Sequence, residues 1–151
     1  MSMSLWNKIF GGARKTERVD YYEEGVALGR QGRVHEALTS LRLALKESPG
    51  DPVVLQQIAI AYTRIGMEDE AVKTYRHVLG RSPGEPGAHY GLAFLLLRAG
   101  QEEEALEHLE RFLANPPLEP HALRHVEYAR STVAELLGEE RPASGVRRRG
   151  A

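Results

Sequence analysis

Apolar positions along the chain recur at intervals of three and four, which sets them on one stripe of an α-helix rather than on one face of a strand. The first clear stripe is Tyr21, Gly25 and Leu28; it breaks at Gln31-Gly32 and resumes with Ala37, Leu38, Leu41, Ala44 and Leu45. The pattern predicts helix, tight turn, helix. It then returns on a fixed ruler, because S-P-G-D-P at 48–52, S-P-G-E-P at 82–86 and P-P-L-E-P at 116–120 are spaced 34 residues apart both times. The same interval aligns Gly32, Gly66 and Gly100, then Ala37, Ala71 and Ala105, then Leu45, Leu79 and Leu113, and finally Arg30, Arg64 and Arg98. A repeat of this length marks stacked helical units, each burying its apolar face against its neighbours.

The punctuation agrees with that reading. Gly32, Gly66 and Gly100 fit the left-handed backbone that ends a helix. Pro49, Pro83 and Pro117 cannot continue the preceding helix, while Pro52, Pro86 and Pro120 suit the first turn of the next, where a missing N–H costs nothing. Asp51, Glu85 and Glu119 place negative charge at a positive helix end, and Asp51 is also a good N-cap.

With these residues in place the chain resembles the tetratricopeptide repeat, in units at 18–51, 52–85 and 86–119. The middle unit carries the pattern best, as Leu55, Ile58, Ala59 and Tyr62 on the first helix, followed by Gly66, Ala71, Tyr75, Val78 and Pro83. The first unit has Tyr21, Gly25, Leu28, Gly32, Ala37, Leu41, Ala44 and Pro49, with Glu24 where an apolar residue is expected. The third has His89, Leu92, Ala93, Leu96, Gly100, Ala105, Leu109, Phe112 and Pro117. The resemblance implies an all-α, right-handed α-solenoid of three helical hairpins. Residues 120–137 keep helical periodicity through Leu123, Val126, Ala129, Val133 and Leu136, but Glu127 and Arg130 replace the small and aromatic residues of the pattern. This suits a C-terminal capping helix, with one face on the last hairpin and one in water.

The resemblance also implies a concave surface lined by the first helix of each hairpin and a role in binding another protein rather than in catalysis. The columns beside the core stripe read Tyr22, Gln56 and Tyr90; Val26, Ile60 and Phe94; Gly29, Thr63 and Leu97; with Arg30, Arg64 and Arg98 at the edge. Aromatic anchors in a concave site carry much of the energy of many interfaces, and a guanidinium row can receive a carboxylate. The candidate partner is a peptide segment with apolar anchors and acidic neighbours. Two alternatives stay open: the arginines are helix-terminal charges, and Tyr90, Phe94 and Leu97 belong partly to the core. Relatives that hold the acidic tails of Hsp70 and Hsp90 use a clamp of lysine, asparagine and arginine. The matching positions here are Tyr22, Val26, Gln57, Gly87 and Gly91, so a partner of that type is not expected.

Composition changes the picture at the ends. The chain has 151 residues and a net charge of -1, yet Lys8, Arg14, Lys15 and Arg18 against Glu17 make residues 1–18 +3, and residues 139–151 carry +2, which leaves -6 on the body. An acidic body is a poor platform for nucleic acid. In the segment 1–17, Leu5, Trp6, Ile9 and Phe10 share one helical face, a pattern that inserts at a membrane interface, docks into a partner's groove, folds back into the chain's own concave groove, or frays without a role. From residue 138 the Glu/Arg/Pro/Gly/Ser-rich tail is expected to be disordered.

Other chemistry finds little support. The chain has no cysteine, which removes disulfides and thiolate sites and fits a reducing, cytoplasmic setting. Gly11-Gly12 lacks the context of a phosphate loop. His121 and His125, four apart, make at best a weak metal pair. No catalytic residue, cofactor or metal is expected. The second functional reading is an assembly module that stacks on copies of itself, or coats the inner face of a membrane through its N-terminal segment.

Overall fold

In the computed structural model, residues 19–138 are described, and within them the chain forms seven α-helices and no strands. They pair as α1 (Tyr21–Arg30) with α2 (Val34–Glu47), α3 (Pro52–Arg64) with α4 (Glu68–Arg81), and α5 (Pro86–Arg98) with α6 (Glu102–Ala114). A 3₁₀ turn, Pro120–Ala122, leads into α7 (Leu123–Leu136). The last helix therefore opens three residues later than the periodicity predicts. Pro120 has no N–H to give, and the Ala122 N–H reaches back only three residues, to the Glu119 carbonyl at 2.9 Å. The segments holding Leu5, Trp6, Ile9 and Phe10 and the charged tail lie outside the described residues.

Each turn within a hairpin is built the same way. Gly32, Gly66 and Gly100 sit at φ +79°, +79° and +77°. Each glycine N–H and the N–H after it bond back into the helix that is ending, as in Gly66 to Thr63 at 3.2 Å and Met67 to Tyr62 at 3.0 Å. This pair of bonds satisfies two orphan carbonyls and needs a residue that tolerates positive φ. Pro52 and Pro86 open α3 and α5, and the Asp51 carboxylate accepts the Val53 N–H at 2.9 Å.

Packing runs between neighbours along the stack. The first core unites α2 and α3 through residues such as Leu41, Val54 and Ile58; the second unites α3 to α6 through Leu55, Tyr75, Leu92 and Leu96; the third joins α5 and α6 to α7 through Leu109, Phe112 and Val126. Ala59, Ala71, Ala93 and Ala105 are fully buried, so these small side chains set how closely the helices approach. Glu24, the anomaly of the first unit, finds a polar partner across the hairpin. Its carboxylate accepts the hydroxyl of buried Ser40 at 3.2 Å.

The third hairpin holds a polar pair of its own. His89, 4% exposed, stands 2.7 Å from the Pro83 carbonyl through Nε2 and 3.0 Å from His108 Nδ1 through Nδ1. A carbonyl can only accept, so His89 carries its proton on Nε2, and when both rings are neutral His108 donates from Nδ1. Burial and the neighbouring His89 hold the His108 imidazole below its ordinary range. Arg76 and Arg111 push the same way, and Glu104 opposes them. Glu104 in turn pairs with Arg76 at 2.6 Å.

Candidate functional site

The stacked first helices, α1, α3 and α5, form one wall of side chains, and α7 extends it at the C-terminal end. On α5 the residues Gly87, Tyr90, Gly91, Phe94 and Arg98 recur at three and four along a single face. The two glycines decide the shape of this face. A Cβ at Gly91 would run into the ring of Tyr75, which comes from α4 behind, and a Cβ at Gly87 would meet the Gln56 amide. With no Cβ at either position, a cavity of about 390 Å³ opens over Tyr75. Its remaining lining includes Gln56, Ile60 and Thr63 from α3, Phe112 from α6, and Ala122 and His125 from the start of the cap.

Aromatic contacts fix the walls. Tyr90 lies 4.8 Å from Phe94 and 5.1 Å from Phe112 between ring centroids, and Phe94 stacks on Tyr128 at 5.0 Å with 16° between planes. His125 meets Tyr90 edge-on, with Nδ1 at 3.2 Å from the phenol oxygen. It is therefore engaged across the groove, while His121 is exposed. Burial pushes the Tyr75 phenol up to about 12, with the Thr63 hydroxyl pulling the other way. Burial also raises Tyr90, reinforced by Tyr128 and opposed by Arg124. Both phenols are thus neutral through the physiological range. The lining is mostly apolar with a few polar groups, the make-up of a site that encloses an apolar side chain.

A second cavity of about 270 Å³ lies between α1 and α3, with Val26, Arg30, Ile60 and Arg64 in its lining. Ile60 borders both. Of the residues selected from the sequence, Gln56, Ile60, Thr63, Tyr90, Phe94 and Arg98 line the larger cavity, and Val26, Arg30 and Arg64 the smaller one. Tyr22 and Leu97 line neither. Tyr22 packs on the first core and Leu97 between the second and third. The arginine column is also put to internal use: Arg64 Nη1 donates to the Gly29 carbonyl at 2.6 Å, and Arg98 Nε pairs with Glu68 at 2.9 Å. The lining residues that column counting passes over include Tyr75, Gly87, Gly91, Phe112 and His125. The Gly87/Gly91 pair, four apart on a groove-facing helix, is the signal that points to them.

No helix among the described residues is long and apolar enough to cross a membrane. The Tetratricopeptide repeat family profile matches residues 66–126. No curated protein sequence matches the chain. Among solved structures, the Yersinia enterocolitica type III secretion chaperone SycD, in complex with a peptide of the translocator YopD, is similar with a TM-score of 0.71 at 17% identity, over 80% of this chain and 92% of that one. The first tetratricopeptide-repeat unit of Spaghetti (RPAP3), bound to the HSP90 peptide SRMEEVD, is similar with a TM-score of 0.64 at 21% identity, over 76% and 90%. A double mutant of MamA RS-1 is similar with a TM-score of 0.62 at 26% identity, over 80% and 75%. These likenesses are likenesses of fold.

Proposed function

Because the chain is a tetratricopeptide-repeat protein, we propose that it works as a non-catalytic adaptor whose concave groove takes a peptide segment of another protein. The observation that carries this reading is the aromatic cavity that Gly87 and Gly91 open over Tyr75 on the concave face. A single apolar side chain lowered into it would be surrounded by Tyr75, Tyr90, Phe94 and Phe112, the kind of desolvated aromatic pocket that dominates interface energies. Two structures of the same fold, SycD and Spaghetti (RPAP3), hold peptides, which supports a groove of this shape as a peptide site.

The chemistry favours apolar anchors over acidic ends. Gly87 and Gly91 stand where a carboxylate clamp needs cations, and Arg64 and Arg98 already bind groups of their own chain. A groove this short supports affinities on the order of micromolar.

The test is selection from a random peptide library on the wild-type chain and on a Tyr90→Ala/Phe94→Ala variant with the same thermal unfolding profile. Peptides sharing one or two large apolar residues should emerge on the wild type and bind the variant at least about tenfold more weakly, since truncating an anchor costs roughly 2 kcal/mol or more. Equal binding to both chains would place the peptide site elsewhere.

A further inference from the structure

We infer that the chain's own N-terminal segment, Leu5 to Phe10, occupies the cavity over Tyr75 and that a partner peptide must displace it. The inference rests on the groove being a peptide site, and it supplies that site with an internal competitor.

Three observations meet here. First, the occupant fits the chemistry. Leu5, Trp6, Ile9 and Phe10 place four large apolar side chains within six residues of sequence, and the cavity is walled by Tyr75, Tyr90, Phe94 and Phe112. Its volume of about 390 Å³ suits an enclosed organic group, and aromatic walls reward an indole packed edge-on or offset.

Second, the tether reaches. Eight residues, 11 to 18, separate Phe10 from the start of the described chain. Extended, they span up to about 27 Å. α1 packs beside α3 and α3 beside α5. At 8–10 Å per helix step, the groove face of α5 lies roughly 20 Å from α1.

Third, the charges agree. Residues 1–18 carry +3 and the body -6; the Glu85 carboxylate lies beside Gly87, and Arg98 in the cavity lining is paired with Glu68. Opposite charge draws the segment toward the body rather than away from it.

The tether makes even weak docking count. A short flexible linker supplies an effective concentration on the order of millimolar, so a segment with a dissociation constant of about 10 µM would be docked about a hundred times as often as it is free. A partner peptide then meets a groove that is already filled, and its apparent affinity falls by about the same factor.

Trp6 is the only tryptophan in the chain, so its fluorescence reports the segment directly. In the full-length protein Trp6 should emit at short wavelength and resist acrylamide quenching, equally at 0.5 and 50 µM (about a hundredfold range, chosen to span weak self-association). Ile60→Lys, or Phe94→Ala if the first variant melts early, should shift the emission to the red and restore quenching. Replacing Leu5, Trp6, Ile9 and Phe10 together by serine should strengthen binding of a library-selected peptide by about tenfold or more.

Several results would overturn the inference: a Trp6 as quenchable as free tryptophan, shielding that grows with protein concentration, shielding seen only with anionic vesicles, or shielding unchanged in both groove variants. The two readings separate cleanly. If Trp6 is solvent-like while the serine variant and the wild type bind the selected peptide equally, the groove stands and the docking falls. If neither chain binds any selected peptide, the peptide site itself is lost.

Discussion

α1 and α5 hold the same place in successive repeats and yet bury very different amounts. In α1 only Gly25 is fully buried, whereas α5 buries Ala88, His89, Leu92, Ala93, Leu95 and Leu96. The ruler is common to both, so period alone does not fix the burial. α5 lies between α4 on one side and α6 on the other, with the cap beyond, and α1 is packed mainly by α2. Position in the stack therefore decides how much apolar surface a repeat must carry, and α1 can accept Glu24 where α5 has Leu92. The groove follows the same gradient, since the larger, aromatic cavity sits at α5 and the smaller, arginine-edged one at α1. In a stack held together by neighbours, the hairpin with the thinner core opens first.

The alanine column tests this contrast with the largest expected effect. Ala105→Asp buries an unpaired carboxylate in the core shared by the second and third hairpins and should cost several kcal/mol, enough to abolish the cooperative thermal transition. Ala37→Asp, at the equivalent place in the first hairpin, should lose α1 and α2 while leaving a transition from the remaining helices. Hydrogen exchange on the two variants reads the difference: global exchange in both would erase the distinction between the hairpins.

A smaller effect comes from pH, through His108 in the third hairpin. His108 has a lowered pKa in the folded chain, so the unfolded chain binds the proton more readily as pH falls. Its contribution is therefore complete above the ordinary value of 6.5 and declines as pH drops below it toward the native pKa. Melting temperature should fall between pH 7 and pH 5, about the window in which histidine titrates and carboxylates do not. The decline should be shallower in His108→Gln, and equal slopes would remove His108 as its source.

The smallest effect belongs to Glu24 and Ser40. Either single change, Glu24→Leu or Ser40→Ala, removes one partner of a half-buried hydrogen bond and should cost up to about 1 kcal/mol. The double variant leaves neither group without its partner and should recover most of the loss. A double-mutant cycle in chemical denaturation measures the coupling, and strict additivity would mean that the pair contributes nothing.

The fold was readable because its turns impose single-residue requirements. A hairpin closing through positive φ leaves glycine at one place every 34 residues, and the alanines mark helix contacts where nothing larger fits. Ile60 and Phe94 could likewise be placed on the concave face by register. Depth could not be read in this way. Tyr75 and Phe112 belong to second helices and carry core positions of the repeat, so periodicity assigns them to the interior. They reach the groove only because Gly91 leaves a gap above one and the cap begins beside the other. His125 was visible as one of a histidine pair, but its bond to Tyr90 joins residues 35 apart that no local pattern connects.

The buried alanines have a consequence for selectivity. They lie behind the groove, yet they govern the spacing of its walls, because each sets the distance at which one helix rests against the next. Enlarging such a side chain by a methyl or two would act like a shim under a hinge, tilting a hairpin and altering the aperture that an incoming side chain meets. Partner preference in this architecture can drift through positions that never touch the partner.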